Sequence, residues 1–174
     1  MALPLLGFGG ACAGSSVQRS TDSDTKVASQ DDPSVRCTFE SPLTPDVLGS
    51  PGKPIVSAIN PNGDSELAWV MREMLTDLKQ AKEAVEQKAA LPRELVHPNR
   101  MRCSWPTDPG TRTVVFDVMA QGYVSQWEYL KTVPTTSHTD RVNAYNGVVT
   151  SCVGCHTQFC QGPIPMIESL KIGQ

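Results

Sequence analysis

Three stretches of the chain carry apolar residues at the alternating three- and four-residue steps that put them on one side of an α-helix. The first runs from about Asp64 to Ala90. Leu67, Val70, Met71, Met74, Leu78, Ala81 and Val85 form one stripe, while Arg72, Glu73, Asp77, Lys79, Gln80, Glu83 and Glu86 fall largely on the other side, as a solvated face does. Asn62 or Asp64 is placed to cap this helix and Pro92 to stop it. The second stretch, Thr111 to Lys131, opens with β-branched Thr113, Val114, Val115 and Val118, which suit a strand. Phe116, Met119, Ala120, Tyr123, Trp127 and Leu130 nevertheless repeat at helical spacing for about four turns, which predicts a helix. The third begins near Thr139 and sets Val142, Tyr145, Val149, Cys152, His156 and Phe159 on a seam that faces a bundle interior.

The intervening pieces read differently. Pro92 to Val96 suits a short helix cut off by Pro98, Asn99 to Gly110 reads as loop, and Val133 to Ser137 as a break. Gly162-Pro163 ends the last long helix, after which Ile164, Met166, Ile167, Leu170 and Ile172 are expected to fold back as a small apolar lid. Residues 36–61 are irregular and proline-rich, with Ile55, Val56 and Ile59 available to pack onto the domain. Ala13 to Val35 is rich in Ser, Asp, Thr and Gln with little to bury, which predicts a flexible tether. The fold class is all-α.

The third seam also carries the chemistry. It contains Cys152-Val153-Gly154-Cys155-His156, the Cys-x-x-Cys-His signature of a covalently attached c-type haem. On a helix the two thiols share a face and reach two vinyl groups on one porphyrin edge, while His156, on the inward side, binds iron from the proximal side. One haem c is therefore expected, on Cys152, Cys155 and His156. Gly147 and Gly154 leave bare backbone beside the seam for close approach. A zinc site is the blander reading, but Cys37, Cys103, Cys160, His97 and His138 are scattered, with no second pair at ligand spacing. A thioredoxin-like pair would need a βαβ setting, which residues 140–170 lack.

Composition sets the remaining bounds. At 174 residues and 39% apolar the chain holds one modest domain, diluted by 14 prolines and 13 glycines. A net charge of −3 gives no basic field for nucleic acid, though an acidic surface steers basic redox partners. No run approaches the roughly 20 apolar residues of a membrane span. Met1 to Gly10 is apolar and leads to Ala11-Cys12, which looks like the end of a bacterial lipoprotein signal with Cys12 as the lipidated residue, although no Lys or Arg precedes it. The expected order is an export signal over 1–12, a tether and irregular extension over 13–60, and a helical domain over 61–174. Three cysteines then remain, Cys37, Cys103 and Cys160, and the expected disulfide joins Cys103 to Cys160.

An inward-facing haem motif on the last long helix of a helical domain resembles the class II cytochromes c, the group of cytochrome c′ and the low-spin cytochromes c556. The resemblance rests on Cys152, Cys155 and His156 and on Leu67 to Met74 (LAWVMREM), and covers roughly Asp64 to Phe159. It implies a four-helix-bundle-like fold, here with a short second helix. In low-spin members a first-helix methionine is the sixth ligand, which falls on Met71, with Met74 on the same stripe as the alternative. The basic residue often found soon after the haem histidine is missing here, which leaves Arg72, Arg141 and Lys131 as candidates for haem propionates. The implied function is a periplasmic monohaem carrier of single electrons between redox proteins, a respiratory or photosynthetic membrane complex among them. The alternative is a five-coordinate haem that binds or senses NO or CO. An enzyme is not expected, because His97 and His138 read as surface residues rather than distal catalysts.

Overall fold

The computed structural model describes residues 37–92 and 100–173. The helical expectation holds: the named elements are α1 (Glu66–Glu86), α2 (Val114–Thr132), α3 (His138–Phe159) and the short α4 (Ile164–Glu168), with 3₁₀ turns at Met101–Cys103 and Pro109–Thr111. Among the described residues the only β pairing is an isolated bridge between Ile55 and Asp64.

Ser65, not Asn62 or Asp64, caps α1 by accepting from the Ala68 N–H at 3.1 Å. Asp64 is instead buried, held by Asn60 and paired with Arg72. At the far end α1 stops at Glu86, short of Ala90. Lys88 adopts φ +55° and the Lys88 and Ala89 N–H groups return to the carbonyls of Val85 and Ala84, a left-handed cap built without glycine.

In the second stretch the helix wins over the strand. Thr113 caps α2 through the Phe116 N–H, and Phe116, Ala120, Tyr123, Trp127 and Leu130 enter the core. The β-branched Val114, Val115 and Val118 that suggested a strand face outward, so they do not compete with the helical stripe. On α3 the buried face is Arg141, Ala144, Tyr145, Val148 and Val149. This face is turned slightly from the expected seam, leaving Val142 and Phe159 at its margin. Phe159 meets Phe116 edge-on, ring centroids 5.7 Å apart. The C-terminal lid forms as expected: Ile167 and Leu170 are buried, and Ile172 exchanges two hydrogen bonds with Asn146, although Met166 faces outward.

Both α1 and α2 rest on α3, α2 more extensively, and have no comparable contact with each other. This leaves a seam between α1 and α2 with α3 as its floor. Residues 37–64 dock by polar anchors rather than by Val56 and Ile59, which are exposed. Arg112 donates to the carbonyls of Thr38 and Ser41, Asp117 accepts from the Phe39 N–H, and Trp105 donates to Thr44.

The cysteine pairing corrects the expectation. Cys103 bonds to Cys37, not to Cys160, with Cα atoms 5.4 Å apart. The Arg112 and Asp117 anchors hold the residues after Cys37 next to the turn that carries Cys103, whereas Cys160 caps α3 and is exposed and free. The expected signal, Cys12, the tether from Ala13 to Val35, His97 and, apart from Pro92, the short helix expected over Pro92 to Val96 lie outside the described residues.

Candidate haem-binding site

The Cys-x-x-Cys-His run occupies the last two turns of α3, where the helix leaves the core and becomes half-buried. Cys152, Cys155 and His156 line a cavity of about 30 Å³. Met71 and Met74 of α1 line it with them, and the walls are completed by Met101, by Met119 and Tyr123 of α2, and by Ser151. The folded chain therefore brings together five of the residues singled out in the sequence. Met101, Met119 and Tyr123 were not foreseen as site residues. Met119 and Tyr123 belong to the helical stripe of α2, where spacing does not distinguish them from core filler; Met101 sits in a loop with no periodicity to mark it.

His156 is oriented by its own helix end. Its Nδ1 lies 2.9 Å from the carbonyl oxygen of Cys160. A carbonyl only accepts, so Nδ1 carries the proton and the Nε2 lone pair is left for a metal, the arrangement usual for ligating histidines.

The thiols lie in low-dielectric surroundings. Burial, and then the neighbouring Cys155, push Cys152 up to about 12, and burial also raises Cys155. Thiol–disulfide exchange requires the opposite shift, which speaks against a thiol redox pair. Among the described residues no three of His, Cys, Asp and Glu gather as a metal-ion site. Tyr123 is 3% exposed, and neither its hydroxyl nor the buried Trp127 indole N–H makes a well-formed hydrogen bond, although Trp127 and Cys152 lie close enough to the hydroxyl to act on it. Burial, followed by the Cys152 charge, raises Tyr123 well above the usual phenol range.

By donor chemistry these residues fit a haem: two free thiols and a histidine in register on one helix, with the thioethers of Met71 and Met74 lining the same cavity. By volume the cavity holds about one water. A porphyrin must therefore part the walls, and the lining methionines of α1 and α2, flexible side chains, are the ones able to give way. The expected propionate partners are not brought there. Arg72 pairs with Asp64, Lys131 with Glu128, and Arg141, at the opposite end of α3, donates to the Ala89 carbonyl. His138, at the same far end, is also remote from the cavity.

A larger cavity, about 710 Å³, lies elsewhere, between the N-terminal extension and the loop around Trp105 and Pro109. It holds no thiol, thioether or imidazole, and its charged residues, Asp64 and Arg112, are committed to Arg72 and to backbone carbonyls. Size alone does not make it the functional site.

No family model, no curated protein and no solved structure matches this chain.

Proposed function

We propose that this chain is a monohaem c-type cytochrome of the class II kind, which carries single electrons between redox partners outside the cytoplasm. The observation that carries the reading is the convergence of Cys152, Cys155 and His156 with Met71 and Met74 on one cavity, with Nε2 of His156 left free by the Cys160 carbonyl. Haem, when bound, supplies the one-electron chemistry that no side chain here has.

The chain's own residues do the rest. Cys152 and Cys155 would hold the group by thioether bonds, and His156, oriented by the Cys160 carbonyl, would ligate its iron. Met71, or alternatively Met74, would offer a thioether as a second iron ligand, a donor that favours the reduced metal and raises the potential. Export, with Cys12 as a lipid-bearing residue, belongs to the same reading and rests on residues 1–12. Among the described residues no helix is long and apolar enough to cross a membrane.

The test is expression in a host that attaches c-type haem, followed by extraction with acid and organic solvent. Colour that stays with the polypeptide is expected, and Cys152→Ser with Cys155→Ser releases it. Extractable haem, or none, overturns the reading. The spectrum of the intact protein then separates the two functions: a low-spin, six-coordinate haem supports electron transfer, while a high-spin haem that binds CO when reduced supports gas binding.

A further inference from the structure

Six of the nine side chains that line the small cavity carry sulfur: Met71, Met74, Met101, Met119, Cys152 and Cys155. Methionine is a common filler of irregular gaps, so that convergence has to be weighed against ordinary packing. This chain does not use methionine as general filler. Of the five methionines among the described residues four are at this cavity, and the fifth, Met166, is 43% exposed. The rest of the core is closed by other aliphatic and aromatic side chains. The four also come from three separate parts of the chain, α1, the turn at Met101–Cys103 and α2.

Met101 is the most firmly placed of them. Arg100 pairs with Glu66 of α1 at 2.7 Å, Arg102 pairs with Asp117 of α2 at 2.8 Å, and Cys103 is bonded to Cys37. The residues on both sides of Met101 are thus tied to different elements, and the side chain between them is 3% exposed. A donor fixed in this way is in place before a ligand arrives, which lowers the cost of binding.

We propose that the haem-free chain binds one Cu(I) ion in this cavity, held by the methionine thioethers and the thiolate of Cys152. Size and donor type select the ion. The cavity takes an occupant about as large as one water. Thioethers and thiolates are soft donors that suit Cu(I), whereas calcium and magnesium need several oxygens, and the only side-chain oxygens on these walls are the hydroxyls of Tyr123 and Ser151. The histidine, cysteine and carboxylate sets that suit zinc do not gather among the described residues. Charge requires a thiolate, since a cation held by neutral thioethers alone would stay unpaired in apolar surroundings. Cys152 is the thiol packed against the core. On binding, its S–H bond breaks, an S–Cu bond forms and the proton goes to water; copper enters and stays as Cu(I), so no electron moves. Copper and haem then compete for Cys152, and the inference goes beyond the cytochrome reading without depending on it.

The test is an anaerobic titration of the haem-free full chain, its Cys37–Cys103 bond intact, with Cu(I) in competition with a coloured Cu(I) chelator. Cys12→Ala and Cys160→Ala, present throughout, remove the thiols outside the cavity. The expected result is one Cu(I) per chain, an X-ray absorption spectrum dominated by sulfur neighbours, and Cys152 shielded from alkylation. Met101→Leu and Met119→Leu conserve volume, and helical circular dichroism without metal checks that both fold. Each should weaken Cu(I) binding at least about tenfold, the loss expected for a group that supports a metal site. Neither residue is assigned to haem, so both variants should still attach it. A chain that takes no Cu(I) from the chelator overturns the proposal. So does Cu(I) binding that survives both leucine substitutions together, because the cysteines alone would then hold the ion. Copper affinity is read without haem, so it stands or falls separately from haem attachment.

Discussion

His156 is held by the main chain of Cys160, not by its side chain: Nδ1–H donates to the carbonyl oxygen at 2.9 Å, while the thiol is free and exposed. Cys160→Ala keeps that carbonyl. Its expected effect on stability is within about 0.5 kcal/mol, as for an exposed position without partners. The haem spectrum should also be unchanged. Denaturant unfolding and an absorption scan check both, and a loss of several kcal/mol would restore the Cys103–Cys160 bond that the sequence suggested.

The Cys37–Cys103 bond should matter far more. It closes a loop across a sequence separation of 66 residues, for which the chain-entropy model gives about 4 kcal/mol. It also clips the N-terminal extension to the turn that presents Met101 to the cavity. Cys37→Ser with Cys103→Ser should lower the melting temperature markedly, and reductant should do the same to wild type but not to the variant.

What could be read from the sequence follows from what is periodic. The stripes of α1 and α2 announce themselves, because Val70, Leu78, Phe116 and Trp127 are core residues repeated every three or four positions. Cys152, Cys155 and His156 are legible because their spacing is local. The Cys37 pairing is not, since it is decided by Arg112 and Asp117 reaching across the fold to the backbone of residues 38–41, contacts that no spacing encodes. Met101 is hidden for the same reason: its burial is decided by the flanking arginines, Arg100 tied to Glu66 and Arg102 to Asp117. The true cap of α1 was missed because Asp64, a good cap by type, is occupied as a buried partner of Arg72.

Asp117 gives a pH prediction. Its carboxylate accepts two hydrogen bonds from Arg102, each 2.8 Å, and one from the Phe39 N–H, and the Arg102 bonds above all hold it below the usual carboxylate range. The unfolded chain therefore takes up this proton first as the pH falls. The stability Asp117 contributes is whole above the ordinary value of about 4 and is lost as the pH drops below that, through the folded-state value. Asp117→Asn should cost roughly 1–3 kcal/mol at neutral pH, as for lost hydrogen bonds to a charge. It should also flatten the fall in stability below about pH 4. Melts between neutral and acid pH check this; parallel curves for the two proteins would refute it.

The last prediction separates the methionines. Met74 is 5% exposed and belongs to the core, whereas Met71 is only half-buried, yet both border the cavity that His156 lines. Methionine is a common filler of irregular gaps, so proximity alone does not make a ligand. Leucine conserves volume within a core at a cost of usually under about 1.5 kcal/mol, so leucine variants remove the thioether without emptying the site. Met71→Leu is expected to turn a low-spin spectrum high-spin, lower the reduction potential and let the reduced protein bind CO, with little change in stability. Met74→Leu, Met101→Leu and Met119→Leu are expected to leave the spectrum low-spin. Absorption spectra of the four variants, each with and without CO, decide the matter. If Met74→Leu alone becomes high-spin, the ligand moves one turn along α1; if every variant remains low-spin, iron is held by a group other than methionine and the class II reading loses its sixth ligand.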